Sequence, residues 1–270
     1  MNDHPIHFEG KFRQVGSAEF DNHQAFGDLH YSDASASAYL SHTLSENNSL
    51  SWQLGYTYMH LGWDKNPRFD KQNFYNAVTS LAWISNAIDR WRWVVLGGGT
   101  IDGETFNFGS SAVGFGMMWG RYAYTQRTGL HVGMVGYGGI RNVYMLPVLG
   151  FDFRTEHWTF NAVFPLDFSI RYDFAQHWET VLNYTTFGGP YKYPYRGSGG
   201  SGDFHNPIVN VYSQGVDLSL NLKCTRFRTG VGAGWNSGGW ILVKDHANHH
   251  GKYYKFHPAP YGQINLEATF

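Results

Sequence analysis

The chain has a single cysteine, Cys224, among its 270 residues. That excludes an intrachain disulfide and any CxxC metal or redox motif, and it leaves Cys224 as a small residue in a turn. Charge is scarce as well: Asp, Glu, Lys and Arg together make 15% of the chain, well below the roughly 25% of soluble globular proteins. A formal net charge of −1 offers no basic surface for phosphates, so no nucleic-acid partner is expected. No stretch approaches the roughly 18 to 20 consecutive apolar residues that a membrane helix needs. GxSxG, HExxH and a phosphate-cradling GxGxxG are missing, and GFGMMWG from Gly114 reads as strand glycines.

Aromatic residues are abundant instead, at 18% of the chain (10 Trp, 18 Tyr, 20 Phe), and there are 33 glycines. The last eleven residues, PYGQINLEATF, alternate without a break. Pro260, Gly262, Ile264, Leu266, Ala268 and Phe270 fall on one face, and Tyr261, Gln263, Asn265, Glu267 and Thr269 on the other. The same period of two runs through Ser49 to Trp63, with Leu50, Trp52, Leu54, Tyr56 and Tyr58 against Ser51, Gln53, Gly55 and Thr57. It recurs in Val216 to Lys223, and again in Arg226 to Asn236, where Phe227, Val231 and Trp235 oppose Arg228, Gly232 and Asn236. One face suits lipid and the other a wet or tightly packed interior, so a slightly polar mean hydropathy is compatible with a membrane address.

Further strands are expected at about 6–15, 27–43, 74–86, 91–101, 110–122, 129–139, 143–153, 158–164, 167–174, 178–187 and 207–215. The connections fall into two classes. Short polar turns occur at Ser45 to Asn48, Asn86 to Arg90, Tyr124 to Thr128, Thr155 to His157, Ala175 to His177 and Lys223 to Arg226. Longer ones lie at Asp64 to Asn73, Asp102 to Gly109, Gly188 to Asn206 and Lys244 to His257. All six short turns share one side only if the chain also reverses near Pro165, which cannot donate a ladder hydrogen bond. A reversal there gives 14 strands. Reading Trp158 to Phe174 as one long strand, with the first dozen residues outside the sheet, gives 12.

These features predict an all-β fold: a transmembrane, antiparallel, up-and-down β-barrel of 12 to 14 strands. It forms one domain over residues 1–270, with 1–26 as an N-terminal extension or a first strand. Sandwiches, lipocalin-like barrels and lectin folds also alternate, and a single strand does not exclude them. The aromatic excess, the turn and loop asymmetry and the closing strand favour the membrane barrel.

In those features the chain resembles the bacterial outer-membrane β-barrel superfamily, in which the last strand closes on the first. The resemblance spans essentially the full length and points to no subfamily. It implies residence in the bacterial outer membrane, contact with outer-membrane lipid, and insertion by the barrel-assembly machinery, with Ile264, Leu266, Ala268 and Phe270 as the assembly signal. Met1 is followed by Asn, Asp, His and Pro, with neither a basic n-region nor an apolar h-region, so a mature chain is expected, its Met1 native or added. Barrels of similar length include enzymes, but the H-x-S spacing of the outer-membrane phospholipases is absent: His131 precedes Val132 and Gly133, and His42 precedes Thr43 and Leu44. No enzyme and no cofactor is expected.

Three groups of residues are candidates for function. With the apolar faces outward, Arg154, Asp167, Arg171, Asp173, Glu179, Asp217, Lys223, Arg228 and Glu267 point into the lumen or lie at its rim, where charge must be paired or hydrated. Their mixed sign fits either a salt-bridged lumen or an unselective small pore. The loop GPYKYPYRGSGGSGDFHN carries Tyr191, Lys192, Tyr193, Tyr195 and Arg196, residue types favoured at recognition surfaces; a membrane-interface girdle is the ligand-free reading. His246, His249, His250 and His257, beside Asp245, could hold a metal, although adjacent histidines lack the i, i+4 spacing of a helical site and a solvated polar loop accounts for them. Two functions follow: a channel or transporter for small solutes, or a non-transporting structural or anchoring barrel in an envelope complex with a protein partner.

Overall fold

The computed structural model describes residues 6–66, 71–104, 112–138, 143–192, 208–244 and 251–270. The alternating segments form strands β1 (Ile6–Glu19), β2 (Asp28–Ser45), β3 (Asn48–Trp63), β4 (Asn73–Ser85), β5 (Trp91–Asp102), β6 (Val113–Ala123), β7 (Thr128–Gly138) and β8 (Val143–Arg154). They continue as β9 (Trp158–Phe164), β10 (Asp167–Ala175), β11 (Trp178–Lys192), β12 (Ile208–Lys223), β13 (Phe227–Lys244), β14 (Lys252–Phe256) and β15 (Pro260–Thr269). A single turn of helix, α1 (His23–Phe26), sits between β1 and β2.

Each strand from β1 to β13 pairs antiparallel with the next. β13 then pairs with β15 along Phe227 to Trp235 and with β14 along Gly239 to Val243, so β14 and β15 act as one interrupted stave. β15 in turn pairs with β1, from His7 opposite Thr269 to Val15 opposite Tyr261. The result is a closed barrel of 14 staves, which leaves no free sheet edge at the chain ends. Of the two expected counts, the larger holds: the amide of Leu166 donates to the carbonyl of Val163, reversing the chain between β9 and β10.

Period two dictates which side chains stand on the outer face. Phe8, Phe12, Leu40, Trp52, Leu54, Leu218, Leu220 and Val231 all stand exposed on the outer face. Ile264, Leu266 and Phe270 do so too, each more than half exposed. Aromatic pairs ring this face near both ends: Trp91 on Trp93, Trp158 on Tyr172 and Phe8 against Phe270 at the end bearing the short turns, and Tyr58 by Tyr75 and Tyr212 on Trp240 at the other.

Three neighbouring staves carry an extra residue at one level. β1 is bulged between Val15 and Ala18 against β2, β13 opposite Ser213 and Gly215 of β12, and the β14/β15 stave is broken at His257–Ala259. One extra residue turns every later side chain to the other face. Odd-numbered Val231 and Trp235 therefore point outward while odd-numbered Ile241 and Val243, past the bulge, are buried. Gly238 sits in this bulge at φ +82°, a conformation that favours glycine, and a Cβ there would meet the carbonyl oxygen of Phe256 at 2.6 Å. Beyond this line the strands continue toward the loop end. Gly188–Lys192 and Lys252–Phe256, within the expected loops Gly188 to Asn206 and Lys244 to His257, are accordingly strand, in β11 and β14.

The hairpin β9–β10 is low. β9 pairs β8 only as far as Leu149, and β10 pairs β11 only as far as Phe168 opposite Tyr184. Among the described residues, Val143 to Val148 of β8 and Thr185 to Lys192 of β11 therefore have one unpaired side. Each of these two bare edges contains a proline, Pro147 and Pro190, which blunts further strand addition.

Candidate functional site: the barrel lumen

At the loop end the lumen is filled. Phe20 stacks on Trp63 with centroids 4.7 Å apart, and Phe26 packs edge-on against Trp63 and Tyr254. β11 crosses toward β2 and β4, strands it does not pair with: Phe187 stacks on Tyr31 and Tyr191 meets Phe74 at 5.8 Å. Val209, Val211, Ile241 and Val243 complete this core, each at most 2% exposed.

Beneath it lies a polar floor. The Arg13 guanidinium of β1 sits 4.1 Å from the Phe187 ring and 5.8 Å from that of Tyr261, and pairs with Asp33 at 3.6 Å. Asp217 accepts hydrogen bonds from Tyr261 Oη at 3.0 Å, Gln263 Nε2 at 2.6 Å and Ser219 Oγ at 3.1 Å. Neutral donors thus satisfy a carboxylate that is 1% exposed.

Toward the turn end the charges gather on Glu179, also 1% exposed. It is bound by Arg228, by Asn221 at 3.0 Å, by Lys223 at 3.5 Å and more distantly by Arg171 at 3.7 Å. Lys223 also bridges to Asp173, and Arg228 to Glu267 at 3.4 Å. Between this network and the floor is a polar cavity of about 340 Å³.

A second network occupies the wall of β6 to β8. Arg121 grips Asp152 with two 2.7 Å hydrogen bonds, and His131 Nε2 contacts the same carboxylate at 2.7 Å. Trp119 donates to His131 Nδ1 at 3.0 Å, which places the ring proton on Nε2, facing Asp152. Gly129 makes room for the group, since a Cβ there would lie 2.1 Å from Asp152 Oδ2. Above this network Tyr137, Tyr144 and Leu146, on the lumen face of β7 and β8, remain exposed.

Of the nine lumen candidates, the structure brings together Arg171, Asp173, Glu179, Lys223, Arg228 and Glu267, and places Asp217 in the floor above them. Arg154 and Asp167 are exposed at the turn end and the loop end and enter no ion pair among the described residues. Tyr191 is a correction: it is 7% exposed within the core rather than on a recognition surface, because β11 runs on through Lys192 and turns the ring inward. Tyr193, Tyr195 and Arg196 lie outside the described residues, as do His246, His249 and His250. His257 is exposed, 3.6 Å from Asp21, and no group of metal-ligating side chains occurs among the described residues. Sequence reasoning missed Lys11, Arg13, Asp33, Arg121, His131 and Asp152; for Lys11, His131 and Asp152 the available signal was an ionisable residue beside outward Phe, Leu or Val.

No protein-family model matches the chain. A Chlamydia trachomatis protein, named only as uncharacterised, is 23% identical over 180 residues, covering 61% of this chain and 56% of its own length. A Chlamydia pneumoniae protein, named likewise, is 24% identical over 185 residues, covering 62% and 57%. The chain thus spans little more than half the length of these curated relatives. Among solved structures, a mutant of the TodX monoaromatic hydrocarbon channel aligns over 99% of this chain and 91% of its own, with 10% identity and a TM-score of 0.47. A bacterial polysaccharide outer-membrane secretin covers 100% of both chains at 9% identity and a TM-score of 0.45. A Rhodopseudomonas blastica porin mutant covers 98% of this chain and 100% of its own at 8% identity and 0.35. The closed sheet itself decides the class. The chain is a closed, antiparallel β-barrel of 14 staves. Its site is the lumen, divided into an aromatic core at the loop end and a charged, partly hollow half at the turn end.

Proposed function

We propose that this barrel resides in the bacterial outer membrane, with its turn end and both chain ends periplasmic, and passes small solutes along the β5–β10 side of its lumen. The observation that carries this reading is the asymmetry of the lumen. Side chains of β1 to β4 and β11 to β15 meet across the axis, whereas Tyr137, Tyr144 and Leu146 on β7 and β8 stay exposed on the lumen face. Paired charges of both signs supply polarity without strong ion selectivity.

Stepwise conductance of the purified barrel in planar bilayers tests it. Small, discrete steps are expected, growing when Phe187→Ala opens the packed side. A barrel that conducts in neither form, and that co-purifies with a fixed protein partner, supports the second reading. That reading, a structural or anchoring barrel, draws on the contacts Tyr31–Phe187 and Phe74–Tyr191, which close half of the lumen.

A further inference from the structure

The polar cavity at the turn end has a donor surplus that its own carboxylates do not absorb. Three cations line it, Lys11, Arg171 and Arg228, against two carboxylates, Glu9 and Glu267. Glu9 already accepts from Tyr39 Oη at 2.9 Å and lies 3.0 Å from His7, while Glu267 engages Arg228. Glu179, behind the cavity wall, is shared among Arg228, Lys223 and Arg171. Arg228 is therefore engaged through both terminal nitrogens, and its Nε alone lacks an acceptor.

Lys11 is not engaged. It makes no ion pair and no side-chain hydrogen bond among the described residues, although it projects from β1 into a confined space. Arg171 has only its long 3.7 Å approach to the crowded Glu179, and its Nε has no hydrogen-bond acceptor. Asn183, between them on β11, gives one amide hydrogen to Asp217 at the long distance of 3.5 Å. An ammonium, a guanidinium and an amide thus face one cavity with donors unspent. Of the carboxylates in the floor above, Asp217 is committed to the Tyr261, Gln263 and Ser219 donors, and Asp33 faces Arg13 at 3.6 Å.

We infer that this chamber is a binding site for a small solute bearing an oxyanion, a carboxylate or a phosphate, held by Lys11 and Arg171 with Asn183 as a further donor. Cations with free donors in a partly enclosed cavity bind such groups through short charge-assisted hydrogen bonds. The volume of about 340 Å³ is at the small end of ligand pockets, which suits a ligand of a few carbons rather than a polymer. Glu9, Arg228 and Glu267 belong to the turn-end stretches of their strands, so the chamber is reached from the turn end, the periplasmic side in the orientation proposed above. Binding there does not require passage through the barrel, and the inference stands apart from the channel reading.

Calorimetric titration of the folded full chain in detergent tests it, at constant ionic strength, with inorganic phosphate in one arm and succinate in the other. Saturable binding of at least one anion is expected, and the two arms separate phosphate from carboxylate recognition. Lys11→Gln and Arg171→Gln should each weaken that binding tenfold or more, whereas Lys252→Gln, exposed on β14, should leave it unchanged. Heat-modifiable migration reports whether each variant has folded. Should Arg171→Gln fail to fold, Lys11→Gln with Asn183→Leu carries the test. Absence of saturable binding of both anions to the unaltered barrel overturns the inference, as does binding that survives every folded chamber variant. A barrel that binds the anion and conducts nothing contradicts only the channel.

Discussion

Glu179 is held by Arg228, Lys223, Arg171 and Asn221 at a position almost closed to solvent. Removing one member of such a buried charge group leaves the others unpaired and desolvated, at a cost of about 3–5 kcal/mol. Glu179→Ala should therefore lower the urea midpoint of the detergent-folded barrel by more than any loop substitution, and an unchanged midpoint would mean that water solvates the group. Residues of this network were legible in the sequence, because Arg171, Asp173, Glu179 and Arg228 alternate with Ile170, Tyr172, Thr180 and Phe227 in uninterrupted strands. Arg13 and Asp33 were not, since nothing local reveals that β1 and β11 approach across the lumen to place Phe187 over the guanidinium. Tyr191 misled for a related reason: a Tyr- and Gly-rich segment looks like a loop until a packed core requires its ring.

The bulge line is where strand-level reading failed. The alternation that fixes β1, β13 and β15 stops near Val15, Asn236 and Pro260, and those are the three places where an extra residue inverts the faces. A period-two pattern registers the inversion as the end of a strand, so the expected strands stop at about residue 15 in β1 and at Asn236 in β13, and β14 falls within the expected connection Lys244 to His257. Asn236 stabilises the inversion, its Oδ1 accepting from the amides of Gly238 at 3.0 Å and Ala259 at 2.9 Å. Asn236→Ala leaves two buried amides without an acceptor and should cost about 1–3 kcal/mol in unfolding experiments. Gly238→Val should free the β14 segment while the lower barrel stays closed. Limited proteolysis is then expected to cut within Lys252 to Phe256 as heat-modifiable migration persists, and a variant as protease-resistant as the parent would contradict this role for the bulge.

At the scale of the whole molecule, the class of fold was legible because every stave needs an apolar outer face, and that requirement writes itself into each strand independently. The closed sheet should resist detergent until boiled, so unboiled and boiled samples are expected to migrate differently on a gel; identical migration would count against closure. The division of the lumen was not legible, since it depends on β11 leaning across the axis and on the low β9–β10 hairpin, both relations between distant segments. That division is best tested by the sidedness of Asn183→Cys labelling with a membrane-impermeant maleimide, in a Cys224→Ser barrel inserted in one orientation. The aromatic core above position 183 and the chamber's turn-end mouth predict rapid labelling from the turn-end side and at least tenfold slower labelling from the other. Equal rates from both sides would contradict the divided lumen.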